Sequence, residues 1–244
     1  WMDFMSFQPE VVAVGGIGVM AFASMQQLVD YIIHDDGSVF AGSAVAINPE
    51  KVMKAQQDAA IRQMLNQAEL RYADGMGVVK VMQKKLGKPV QRVPGCETWE
   101  AIMYRSVSRQ VPVFLIGAKP EVLAQTKEKL QAAGVNIIGT QDGYFKDADA
   151  LIATVKASGA KVITVAMGSP KQELFIEKAK KQIPDAYFMG VGGTYDVFTG
   201  HVKRAPELWC RLNLEWAYRL VDQPSRIKRQ WSLVEYLWLY LRGK

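Results

Sequence analysis

Asp74 follows a short strand over residues 70–73 and opens the turn Asp74-Gly75-Met76-Gly77. A carboxylate there, flanked by glycines that let a ligand approach the backbone, suits general-base chemistry. The same residue at the same place is also an ordinary cap for a helix over residues 78–86. Asn48 ends the apolar run 44–47 and precedes Pro49. Its first reading is the cap of the helix that Pro49 begins. Gln172 stands in Gly168-Ser169-Pro170-Lys171-Gln172-Glu173, where Ser169 and Gln172 have capping-box spacing and Gly168 leads into a helix N-terminus that would welcome an anion. In Gly192-Gly193-Thr194-Tyr195-Asp196, paired glycines ahead of a polar cluster serve binding better than packing, and Asp196 can accept hydrogen bonds from a ribose or a base edge. Tyr144 can stack on a base or cover the core. Arg226 and Arg229 fall one turn apart on a helix face and can grip one anionic group together.

Other chemistries find less support. Gly16-x-Gly18-x-x-Ala21 fits the spacing of a dinucleotide fingerprint, with Asp35 and Asp36 downstream. The next helix, however, starts only at Ser24, so these glycines form a turn between two short strands and not a pyrophosphate-binding helix start. Asp147-Ala148-Asp149 has the form of a metal-holding acidic pair, yet acids at the start of the helix over residues 148–156 are the ordinary dipole preference. Cys96 and Cys210 are far apart and match no metal-ligand spacing, which indicates a reducing compartment. No metal site and no cofactor are expected.

These residues need a scaffold that brings them to one place. Residues 161–206 supply its pattern: an apolar strand (162–167), a tight turn, a helix (170–182), a second apolar strand (186–191), then a loop of Gly, Thr, Tyr and Asp. Strands this uniformly apolar are buried on both faces, and a helical crossover between them makes a parallel α/β unit. Ligands of such sheets sit beyond the carboxyl ends of the strands, where Gly117-Ala118-Lys119-Pro120 and Gly168-Ser169-Pro170 each lead from a strand into a helix. The expected fold is α/β, a Rossmann-like, mostly parallel sheet with helices on both faces over residues 1–204. A helical C-terminal appendage over 205–244 follows, with a helix over 206–221, a break at Gln223-Pro224 and a second helix capped by Ser225.

A chain of 244 residues that is 49% hydrophobic can bury a core without disulfide support. Its first residues show neither a basic leader nor an apolar run of membrane-spanning length, so the expectation is a cytoplasmic protein. Charge is uneven. From His201 onward there are nine basic residues against four acids, which accounts for +5 of the net +6, and four of the six tryptophans lie there too. Interleaved basic and aromatic residues on helices suit an anionic membrane surface or nucleic acid. The stretch 231–241 is too short to cross a bilayer and suited to lying on one.

In order along the chain stand Ala73-Asp74-Gly75, Arg92-Val93-x-Gly95, Gly117-x-Lys119-Pro120, Asp142-Gly143-Tyr144-Phe145, Met167-Gly168-Ser169-Pro170-Lys171-Gln172-Glu173, Gly190-Val191-Gly192-Gly193-Thr194-Tyr195-Asp196, Lys203-Arg204-Ala205-Pro206, Glu215-Trp216-x-Tyr218-Arg219 and Gln223-Pro224-Ser225-Arg226-x-Lys228-Arg229. With these the sequence resembles the WecG/TagA/CpsF family of bacterial glycosyltransferases, over residues 25–229. The resemblance implies an inverting, metal-independent transfer from a UDP-sugar to a polyprenyl-diphosphate-linked N-acetylglucosamine, at the inner face of the cytoplasmic membrane, with an appendage that meets the membrane and completes the active site. It is nearest the branch that moves N-acetyl-D-mannosaminuronic acid in enterobacterial common antigen synthesis; the alternative donor is the neutral UDP-N-acetylmannosamine of the teichoic-acid branch. By the resemblance Asp74 matches the general base, Asn48 and Gln172 the active-site amides, Tyr144 and Asp196 the uridine site, and Arg92 a basic residue at the pocket. Arg219, Arg226 and Arg229 match the appendage arginines. Teichoic-acid members carry a threonine shortly before the asparagine, where Ala46-Ile47 precede Asn48 here. No nucleic-acid partner is expected, homo-oligomerisation is left open, and a nicotinamide-dependent oxidoreductase is the more distant alternative.

Overall fold

The computed structural model describes residues 7–203 together with Pro206, Trp209 and Tyr236. Val11–Val14 (β1) and Ile17–Met20 (β2) form an antiparallel hairpin in register from Val11 opposite Met20 to Val14 opposite Ile17. Gly15 and Gly16 turn it with φ of +57° and +82°, the left-handed values that a tight two-residue turn requires. Ser24 then caps α1 (Met25–Ile32), its Oγ accepting from the Gln27 amide at 3.0 Å. The turn expected in place of a dinucleotide fingerprint is therefore what the chain forms.

The rest alternates: β3 (Gly42–Ile47), α2 (Pro49–Gln57), α3 (Ala59–Asn66), β4 (Leu70–Ala73), α4 (Met76–Leu86), α5 (Gly95–Val107), β5 (Val113–Gly117), α6 (Pro120–Ala132), β6 (Ile137–Gln141), α7 (Ala148–Ser158), β7 (Val162–Ala166), α8 (Lys171–Gln182), β8 (Tyr187–Gly190) and α9 (Thr194–Thr199). Eight strands make one sheet in the order β1-β2-β4-β3-β8-β7-β5-β6, with every pairing parallel except that of the hairpin. This is the expected α/β fold.

Strand periodicity divides the core in two. Ala44, Val113, Leu115, Val162, Tyr187 and Met189 pack with Leu28, Trp99, Ile102 and Leu123 of α1, α5 and α6. Their neighbours in sequence face the other way: Val45 and Ile47 pack with Val52 and Val78 of α2 and α4, and Phe114, Ile116, Ile163 and Phe188 with Ile152 and Phe175 of α7 and α8. The inner strands are thus covered on both faces, which is why β5 and β7 read as unbroken apolar runs, whereas β1 at the sheet edge alternates exposed and buried. Burying one such side chain contributes about 1.5–3 kcal/mol.

Three local expectations change. The helical stretch after Pro49 breaks at Asp58, whose Oδ1 accepts from the Ala60 and Ile61 amides and caps a separate α3. Helix α4 starts at Met76, so the residue in its cap position is Gly75 and no side chain caps it. The glycine-rich segment after β8 is not all loop, because Thr194 already begins α9.

Arg71 of β4 fastens the hairpin to the sheet. Its guanidinium donates to the carbonyls of Gly18, Asn66 and Ala68, while Asn66 bonds Gly16 O at 3.0 Å and the Gly18 amide at 3.2 Å. Removing these donors leaves partly buried carbonyls without partners. Arg71→Met is expected to lower stability by about 1–3 kcal/mol in urea unfolding, with activity per folded molecule unchanged. Among the described residues no helix is long and apolar enough to cross a membrane.

Candidate active site

Parallel strands end at one edge, and there the chain collects most of the residues singled out above. Asn48 follows β3, Asp74 follows β4, Gly168 follows β7 and Gly192 follows β8. Because β4, β3, β8 and β7 are successive neighbours, these four positions lie in a row. Asn48 is the cap that its sequence context indicated, with Oδ1 accepting from the Lys51 amide at 2.9 Å.

Asp74 is different. The cap position of α4 falls on Gly75 and not on Asp74. The Asp74 amide donates to Ile47 O at 2.9 Å, and Arg92 grips the residue twice: Nε to the main-chain oxygen at 2.7 Å and a terminal nitrogen 3.5 Å from Oδ1. The two side chains are 25% and 18% exposed, so the pair is shielded yet reachable. The start of α5 closes in from above: a Cβ on Gly95 would stand 3.6 Å from Asp74 Oδ2 and 3.7 Å from both Ala46 Cβ and Tyr72 Oη. The N-terminus of α5 therefore lies against the carboxylate, where its partial positive charge favours the ionised form. Burial, with smaller contributions from Tyr187, Asp74 and Cys96, pushes the Tyr72 hydroxyl well above its ordinary pKa and keeps it a neutral donor or acceptor under the site.

At the other half of the edge the floor is glycine. Gly168 and Gly192 have φ of +74° and +54°, and a Cβ on either would meet nothing within 4 Å among the described residues. Gln172 holds these two loops together from below. Its side chain is buried, and Oε1 accepts from the Gly168 amide at 3.2 Å and from the Gly192 amide at 3.0 Å. The capping box is not formed, because α8 begins at Lys171 and Pro170 occupies the cap position.

Thr194 is turned inward. Its hydroxyl donates to Val191 O at 2.6 Å and touches Cys96 Sγ at 3.3 Å, which ties the start of α9 to the start of α5. Tyr195 is buried too, with its ring 5.4 Å from that of Trp99 and its hydroxyl donating to Thr164 O at 3.1 Å. Gly193 is exposed and Asp196 partly so, which leaves those two to face a ligand. Thr194 thus supports the loop instead of presenting its hydroxyl to the cleft.

Tyr144 is 67% exposed, so it does not cover the core; Phe145 does, packing on Phe175 with ring centres 5.6 Å apart. The Tyr144 loop is anchored by Gly143 N bonding Ala118 O at 2.9 Å beyond β5, the strand next to β7, and so it borders the Gly168 loop. Asp147 caps α7, and Asp149 pairs with Lys178 at 2.7 Å. Among the described residues there is no group of three His, Cys, Asp or Glu side chains that could hold a metal ion.

Arg219, Arg226 and Arg229, and the appendage boundary at 204–205, lie outside the described residues. Tyr236 does not. It is buried with the α2 and α4 side of the core, and a Cβ on Gly77 would stand 2.8 Å from its Cε1 and 3.1 Å from Pro49 Cγ. One residue of the stretch read as lying on a bilayer is therefore seated on the body, a turn from Asn48 and Asp74. Residue types alone had not marked Tyr236, Tyr72, Cys96, Lys51 or Glu173; only Glu173 carried a signal, as the neighbour of Gln172. The family described as Glycosyl transferase WecG/TagA/CpsF family matches residues 12–244.

Proposed function

We propose that this chain, which belongs to the WecG/TagA/CpsF family of glycosyltransferases, transfers N-acetyl-D-mannosaminuronic acid from UDP to undecaprenyl-diphosphate-linked N-acetylglucosamine, forming the β-1,4 linkage of the enterobacterial common antigen lipid intermediate. The family implies a nucleotide-sugar donor and a lipid-linked acceptor. The observation that carries the site assignment is the Asp74 carboxylate, placed just ahead of the α4 cap position and set between Arg92 and the start of α5.

In this reading Asp74 takes the proton from the acceptor 4-hydroxyl as its oxygen attacks the anomeric carbon from the side opposite UDP, so the configuration inverts. Tyr144 stacks on the uracil and Asp196 accepts from the ribose. Gly168, Gly192 and Gly193 let the donor rest against backbone. Asn48 orients the sugar with the part of its amide not used as a cap. Gln172, with Oε1 already bonded to two loop amides, acts through the loops. Charge developing on the leaving diphosphate is met by the N-termini of α6 and α8, neither capped by a side chain, and by Arg219, Arg226 and Arg229 of the appendage. Tyr236 on α4 supports an appendage that docks beside the site, and the basic, tryptophan-rich composition supports its lying on the inner membrane face.

The donor choice rests on Ala46. It faces the ground between Asp74 and Gly95, one of the two residues standing where teichoic-acid members carry a threonine, and it offers no hydroxyl there. The test is a transfer assay in which UDP-N-acetylmannosaminuronic acid and UDP-N-acetylmannosamine compete for a short-chain polyprenyl-diphosphate acceptor. The expected result is product from the uronic acid donor, unaffected by a chelator. Preference for the neutral sugar would move the chain to the other branch; activity lost with chelator and restored by magnesium would end the metal-independent mechanism.

A further inference from the structure

Glu173 sits beside Gln172 and has no part in the mechanism above. Its side chain is 5% exposed, yet its hydrogen bonding is thin: Oε1 accepts from Gln172 Nε2 at 3.3 Å and lies 3.5 Å from Lys51 Nζ, and Oε2 has no hydrogen-bond partner among the described residues. The other lysine near this recess is already committed, because Lys180 bonds both oxygens of Glu69 at 2.7 Å and Ser43 Oγ at 3.2 Å. A buried carboxylate with one long ion pair recovers little of its desolvation cost, and an apolar side chain of similar volume often does as well or better. Stability gives a poor account of this residue.

Its position gives a better one. On one side it fixes the Gln172 amide, which spans Gly168 and Gly192 at the ends of β7 and β8. On the other it holds Lys51, whose main-chain amide is the group that Asn48 caps at the end of β3. We infer that Glu173 is a positioning residue that sets the glycine loops and the Asn48 helix start relative to one another. It orients the Gln172 side chain so that Oε1, and not Nε2, faces the two loop amides; with the amide reversed, both loop N–H groups would meet a donor and the clasp would open. Glu173 itself touches neither the donor nor the acceptor. The functional consequence rests on the transferase reading, whereas the clasp does not.

Two variants and two readouts test this on the full chain. Glu173→Gln keeps a side-chain oxygen for Gln172 Nε2 and Lys51, and Glu173→Met removes it. Amide hydrogen exchange, followed without ligand, is expected to quicken about tenfold at Gly168 and Gly192 in Glu173→Met, the loss of about one hydrogen bond's net stabilisation, with β5 protection unchanged and Glu173→Gln near wild type. UDP affinity is expected to fall about tenfold in parallel, while the unfolding midpoint of Glu173→Met stays within a few degrees of wild type. Wild-type exchange at both glycines in Glu173→Met, or equal loosening in both variants, overturns the proposal. Should Glu173→Met not fold, loosening at these glycines in Glu173→Gln alone overturns it as well, since that variant retains the acceptor. A chain that binds no UDP but shows the exchange pattern would sink the transferase reading and leave the clasp standing.

Discussion

Asp74→Asn is expected to slow sugar transfer by about 10²–10⁴-fold, the range that a positioned general base contributes, while UDP affinity and the unfolding midpoint stay near wild type. The geometry makes the substitution unusually clean. Arg92 Nε and the Ile47 carbonyl bond the main chain of Asp74, so both contacts survive any side-chain change. The cap position of α4 belongs to Gly75, and an asparagine at 74 keeps a side-chain oxygen that can accept as the carboxylate does. The change weakens the 3.5 Å charge contact to Arg92, a partly exposed pair of small worth, and removes the ability to accept a proton. Single-turnover transfer to a polyprenyl-diphosphate acceptor, set beside calorimetric UDP binding, separates the two. Turnover within threefold of wild type would remove Asp74 from the base role; loss of UDP binding together with turnover would make it a donor ligand instead.

The sheet was legible because its physics is local and repetitive. Strands buried on both faces must be apolar throughout, and β5 and β7 are. A Gly15-Gly16 pair between two short apolar runs is a tight turn whatever surrounds it. Asn48 was legible for the same reason, since a cap bonds within its own turn. The role of Asp74 was not, because a shift of one residue in the start of α4, within the usual uncertainty of helix ends, decides whether Asp74 or Gly75 holds the cap position.

Gln172 misled in the opposite direction. Its spacing from Ser169 satisfied a local motif, but the cap position went to Pro170 and the side chain crossed to a loop twenty residues away, a partner that no short pattern encodes. Thr194 and Tyr195 look polar and loop-like in the sequence, and the fold turns both inward onto Val191 and Thr164. Tyr144 and Phe145 show the converse: two adjacent aromatics, of which only packing decides that the first is exposed and the second packs on the core. Gln172, Tyr195 and Phe145 each meet a partner on a different element of the sheet or its helices. The order of strands in the sheet, and not the order of residues in the chain, supplies it.

Gln172→Leu offers the sharpest test of what that crossing contact does. Leucine fills nearly the same volume and so opens little cavity, but it leaves the Gly168 and Gly192 amides without this acceptor and takes from Glu173 the hydrogen bond of the Gln172 amide. The loops stand at the edge where water can replace part of the loss, so the expected stability cost is about 2 kcal/mol and not the sum of two fully buried orphans. Donor binding is expected to suffer more, with UDP-sugar affinity falling ten- to a hundredfold, because a displacement of about 1 Å in a positioning loop is worth that much. Gln172→Glu makes the contrast: it restores oxygens for both amides but sets a second carboxylate beside Glu173, and it should bind donor better than the leucine variant while unfolding at a lower temperature near neutral pH. The division between affinity and turnover then assigns the role. Weakened donor binding with turnover largely kept at saturation identifies Gln172 as the clasp beneath the glycine loops. Unchanged donor affinity with turnover alone reduced identifies a group that acts on the sugar directly, and the clasp would then be incidental to catalysis.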